Sequence, residues 1–118
     1  MIQRLKKAKT VYLATQIVDM RKFINGLAAI VQGSFALDLY EGSAFVFISR
    51  SHDKIKVLQW DTDGFVLYYK RREKGKFQWP HAIDPASGTV HITASDLVRL
   101  LDGLVMEQFI PHKDYSLY

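Results

Sequence analysis

The run "KIKVLQWDTDGFVLYYKR", residues 54–71, leaves the backbone little choice. Two segments rich in β-branched and aromatic residues, 54–60 and 64–71, flank the tetrapeptide "DTDG". Asp61 can receive turn hydrogen bonds, and Gly64 can take a positive φ without steric cost, so the pattern predicts an antiparallel hairpin. In the second strand Phe65, Leu67 and Tyr69 alternate with Val66 and Tyr68, so both faces are apolar. Such a strand belongs to a sheet that is covered on both sides or curled on itself. Upstream, "SAFVFIS" (43–49) reads as a further strand, and downstream "REKG" (72–75) predicts a second tight turn into a strand "KFQW" (76–79).

The flanking segments add helices. "KTVYLATQIV" reads as a first strand over 10–16, followed by Asp19 as an N-cap. Met20, Phe23, Ile24, Leu27, Ile30 and Val31 then recur at the spacing of one helical face, and Gly33 is placed to end that helix. Pro80 and the "DPASG" turn (84–88) precede a short strand "TVHI". In "TASD", Thr93 and Asp96 have the spacing of a capping box, and Leu97, Leu100, Leu101 and Leu104 form a buried stripe before Gly103. The expected architecture is α+β: an antiparallel meander, curled, of four to six strands with two helices, in the order β-α-β-β-β-β-(β)-α. One domain is expected over residues 1–105, with 106–118 as a partly ordered tail, since no period organises the last residues.

Composition narrows the function. The chain has 118 residues, 48% of them hydrophobic, enough for one domain with a core that needs no covalent staples. The absence of cysteine removes disulfides, thiol nucleophiles and thiolate metal sites, and fits a reducing compartment. No stretch reaches the ~20 apolar residues of a membrane helix. The basic start resembles a signal peptide, but Thr15 and Gln16 break its apolar part and no cleavage site follows, so a cytoplasmic location is expected. The net charge is +4, yet fourteen of the sixteen Lys and Arg residues lie in residues 1–33 and 50–79. That asymmetry points to an acidic partner, nucleic acid first.

Candidate catalysts fail on position. Asp53, Asp61, Asp63 and Glu73 are numerous enough for a metal-dependent nuclease, but each sits at a turn, where local backbone hydrogen bonding already accounts for it. His52, His81, His91 and His112 show no zinc-ligand spacing, and neither a GxSxG elbow nor a GxxxxGK loop occurs. No enzyme activity, metal or cofactor is expected.

The cations carry more. Arg21 and Lys22 fall in the expected first helical turn, where the dipole disfavours them unless an anion binds there. Arg50, Lys54, Lys56, Lys70, Arg71, Arg72, Lys74 and Lys76 lie on adjacent strands and turns, and five of them crowd "KRREKGK". Like charges across strands repel, and a phosphate backbone would offset that cost. Edge lysines that deter aggregation are the competing explanation. Among the interleaved aromatics, Trp79 is the candidate to stack on a base.

The strings "VDMRK…GLAAIVQ", "FVFISRSHDKIKVLQWDTDGFVLYYKRREKGKFQWP" and "ITASDLVRLLDGL" resemble, in order and spacing over about residues 8–105, the TnpB accessory protein of the IS-sixty-six family of bacterial insertion sequences, encoded by the second open reading frame. It is distinct from the RNA-guided nuclease of the same name. The resemblance implies a non-catalytic accessory protein of transposition, whose partner would be either the element's DNA or its separate, DNA-bound transposase; the alternative to nucleic-acid binding is an adaptor that docks on the transposase without contacting DNA itself. Two positions depart from the family pattern. Phe23 stands where the family has Gly, and is expected in the buried helical stripe. The loop "SRSHDK" carries fewer cations than the Arg-rich loop usual there.

Overall fold

The computed structural model describes residue 5, residues 7–79 and residues 88–103. Among these residues five strands and two helices are delimited, in the order β1 (Val11–Ala14), α1 (Ile24–Gly33), β2 (Ala44–Ile48), β3 (Lys54–Asp61), β4 (Gly64–Arg71), β5 (Thr89–Ile92) and α2 (Ala94–Leu101). The α+β class holds, but the sheet is mixed and open rather than an antiparallel, curled meander. Its strand order is β4-β3-β2-β1-β5. β1 lies parallel to β2, with Val11 opposite Ala44, and every other pairing is antiparallel. Parallel neighbours need a crossover, and α1 sits in that connection.

Each face of the sheet is sealed by one helix, which is why the strands are apolar on both sides. On one face Leu27 and Val31 of α1 pack with Phe45, Phe47 and Leu58. On the other, Leu97, Leu100 and Leu101 of α2 pack with Val11, Leu13, Val46, Ile48, Ile55 and Val57. Burying each such leucine contributes about 2 kcal/mol of transfer free energy. Strand alternation sorts the polar residues as well. Lys54, Lys56, Leu58 and Trp60 share the α1 face, opposite Arg71, Tyr69, Leu67 and Phe65 of β4.

Three local expectations change. The β3–β4 turn pairs Asp61 with Gly64, but Thr62, not Gly64, takes the positive φ, at 54°. Residues 76–79 form no strand. Instead Gly75 turns the chain at φ 78°, and the amides of Arg72 and Phe77 donate to Asp53 O and His52 O across the neighbouring loop. Phe77 is thereby delivered into the α2-side core.

The third change is at the start of α1. Asp19 does not cap it. Its carboxylate accepts from the Arg21 amide at 2.9 Å, and its carbonyl accepts from the Lys22 amide at 3.0 Å, closing a turn of its own. The carbonyls of Met20 and Lys22, which a helix would use, each accept instead from Lys56 Nζ at 2.7 Å. The helix can begin only after that, with Phe23 as an N-cap that makes no side-chain cap bond. α2 begins as its sequence requires, with reciprocal Thr93 and Asp96 bonds. Leu104, most of the "DPASG" turn and the expected tail at 106–118 lie outside the described residues. Among the described residues no helix is long and apolar enough to cross a membrane.

Candidate nucleic-acid interface

Three loops meet at one end of the sheet. The loop after β2 carries Arg50, and β3 starts beside it at Lys54. The loop after β4 carries Arg72, Lys74 and Lys76, and is tied to the first by the Arg72 and Phe77 amides. The "DMRK" turn, with Arg21 and Lys22, is held there by the Val18 amide on Ile48 O and by Lys56. The fold thus gathers Arg21, Lys22, Arg50, Lys54, Lys70, Arg71, Arg72, Lys74 and Lys76 at one end, although more than fifty residues separate the first from the last. A cleft of about 640 Å³ opens among them, lined by Ile17, Val18, Asp19, Met20, Ser49, Arg50, Ser51 and Lys54.

Their hydrogen bonds divide these cations into groups. Each of the three local carboxylates takes one. Arg21 grips Asp19 at 2.6 Å, Lys54 reaches Asp53 at 3.0 Å, and Arg71 meets Glu73 at 2.8 Å. The Arg21 side chain holds the Asp19 carboxyl down at about 2. Hydrogen bonds from Ser51 and then Lys54 hold Asp53 at about 2. The Arg21 and Arg71 pairs are exposed and the Lys54 pair is half-buried, so the first two are weak and the most readily exchanged for a ligand anion.

Two further cations face the opposite side of the sheet. Lys70 Nζ donates to Leu101 O, and the Arg72 guanidinium lies over Gly103. Both complement the negative C-terminal end of α2, so their first role is to seat that helix. Lys22, Arg50, Lys74 and Lys76 are left without a partner among the described residues.

Two of the residues named as candidate contacts are engaged within the fold. Lys56 is only 6% exposed, and besides its two carbonyl acceptors it lies 5.5 Å from the ring centroids of both Phe23 and Tyr69. A buried ammonium so engaged is a structural tie and offers a phosphate nothing. Trp79 packs against the α2-side core and donates its indole N–H to Ala14 O at 3.1 Å, so it is no stacking platform. The dipole argument for Arg21 and Lys22 also lapses, because both precede α1 by at least one residue.

Sequence reasoning missed the residues at the surface of this end. Phe23, expected in the buried stripe, is 65% exposed, and Tyr69 is 54% exposed. A signal was available: Lys56 alternates with Leu58 and Trp60 on an apolar sheet face, where a lysine must bring its own acceptors and rings.

The suspected acidic cluster does not assemble. Asp53 and Glu73 lie at the basic end, whereas Asp61 and Asp63 lie at the β3–β4 turn, a strand length of about 25 Å away. Among the described residues no three His, Cys, Asp or Glu side chains are grouped to hold a metal ion. His91, half-buried edge-on to Tyr12 at 4.7 Å, has its pKa lowered by burial, and it lies on β5 at the far edge of the sheet from the cations.

The sequence profile described as "IS66 Orf2 like protein" matches residues 9–110. The chain belongs to the IS66 Orf2-like family. It is similar to two proteins of Sinorhizobium fredii, "Uncharacterized protein y4jC" and "Uncharacterized protein y4hO". They are 36% and 37% identical over 94 residues, each spanning 80% of this chain and 78% and 79% of the relative. No solved structure matches. This IS66 Orf2-like chain is therefore an accessory protein associated with insertion sequences, and transposition of a mobile element is the process it belongs to.

Proposed function

We propose that the basic end of the sheet binds nucleic acid through its phosphates, in the service of insertion-sequence transposition and without catalysis by this chain. One observation carries the reading: with three carboxylates each holding one cation and α2 holding two, Lys22, Arg50, Lys74 and Lys76 still face solvent without a hydrogen-bond or ion-pair partner among the described residues. Keeping that many like charges together is unfavourable in the free protein, and a polyanion relieves it. Arg21 and Arg71 join when phosphate replaces their carboxylates.

The test is fluorescence anisotropy with labelled duplex from an element end and with a scrambled duplex, across a salt series. Binding should weaken steeply with salt, and the Arg50→Ala, Lys74→Ala, Lys76→Ala triple variant should flatten the log–log slope by about 3. No binding at low salt overturns the proposal. Equal affinity for both duplexes makes the protein a non-specific helper, consistent with phosphate contacts that carry no sequence information.

A second reading is an adaptor that docks on the element's transposase. It is favoured by the opposite end of the sheet, where Tyr40, 55% exposed, lies edge-on to Trp60 at 5.0 Å beside Phe65. Exposed aromatic clusters of this kind anchor protein interfaces. Co-purification with transposase that is lost in Tyr40→Ala but kept in the triple variant would support it.

A further inference from the structure

The phosphate reading leaves the exposed rings beside the cations unexplained. Phe23 fills an N-cap position where Ser, Thr, Asp or Asn would satisfy a helix amide, and it makes no such bond. Nor does it serve the core, since most of its surface meets solvent. Tyr69 is similarly open on β4, the edge strand. Both rings are organised by one buried group. The Lys56 ammonium lies over each ring at 5.5 Å, while its bonds to Met20 O and Lys22 O fix the backbone that carries Phe23. With the ammonium near both centroids, each ring still presents more than half of its surface to solvent, where a ligand can meet it. Cations continue the same surface, because Arg71 follows Tyr69 by two positions on β4 and pairs across the sheet with Lys54.

We infer that Phe23 and Tyr69, set about the buried Lys56, form a stacking platform for unpaired nucleobases, so that the preferred ligand of the basic end is single-stranded nucleic acid. This rests on the phosphate reading and adds the bases to it. Aromatic faces interleaved with cations are the means by which single strands are held without sequence preference. Duplex bases are already stacked on one another and cannot reach a flat ring without being opened. Duplex would therefore use the cations alone, and a single strand would use both.

Three labelled ligands of equal length separate the contributions: a single strand of about 16 nucleotides, an abasic strand with the same phosphates, and a duplex. The protein should bind the normal strand about a hundred-fold more tightly than the abasic strand, because two ten-fold ring contributions multiply. Phe23→Leu and Tyr69→Leu, which keep apolar bulk but lose the π face, should each weaken normal-strand binding about ten-fold and leave abasic and duplex binding unchanged. Circular dichroism would establish that both variants fold, and the abasic comparison on the unaltered protein does not depend on them. Equal affinity for normal and abasic strands overturns the stacking platform while the phosphate reading stands. Leucine variants that weaken all three ligands equally overturn it too, since the rings would then only shape the loop. Failure of all three ligands to bind overturns both.

Discussion

Lys56 is the residue on which the basic end depends most, and it does so by facing inward. Its ammonium supplies two donors to carbonyls that no helix amide reaches. Replacing it by Met keeps the bulk and strands both acceptors, which costs about 2 kcal/mol. Urea unfolding of Lys56→Met should show that loss, and an unchanged midpoint would mean that water can serve those carbonyls. Its charge made Lys56 look like a phosphate contact in the sequence; strand alternation, which places it beside Leu58, was the better guide. Asp53 gives a second residue-level expectation. Its carboxyl is held at about 2 in the folded chain, below the ordinary value near 4 of an unfolded one. The stabilisation from its ionised form is therefore complete above about pH 4 and is lost as the pH falls through about 2. Asp53→Asn lacks that contribution, so the urea midpoints of the two proteins should converge between these pH values. A gap that persists at low pH would show that its bonds do not depend on charge.

At the scale of elements, the two helices differ in how far their sequences announce them. α2 was legible because a reciprocal cap and a leucine stripe are both local. α1 was misplaced at its start because Asp19 suits either a helix cap or a turn, and the tie that decides comes from β3, more than thirty residues away. The β3–β4 hairpin was legible in its strands and misread in its turn. There Thr62, a β-branched residue, sits at φ 54°, a conformation disfavoured for such side chains. Thr62→Gly should stabilise the protein by about 1 kcal/mol, read as a raised thermal midpoint, because relief of this strain exceeds glycine's entropy cost. A lowered midpoint would show that the Thr62 hydroxyl, which donates to Asp61 at 3.2 Å, matters more than the strain. The "KFQW" segment read as a strand through its aromatics, but the backbone bonds of its loop run to residues 52 and 53 rather than to β4.

For the whole molecule, the gathering of charge was visible in the sequence as two cation-rich segments, and the fold brings most of those residues to one end. The sheet order was not visible, because nothing in β1 indicates that it will lie parallel to β2 and antiparallel to β5. That arrangement bears on how the chain folds as it leaves the ribosome. β2, β3 and β4 find their partners within residues 44–71, across short connections that close early. β1 is made first, yet its second edge stays open until Thr89–Ile92 has been synthesised, and the leucines that cover the other side of the sheet come later still. The nascent protein therefore carries an uncovered sheet face until α2 has been made, and this sheet is sealed only when α2 has cleared the exit tunnel.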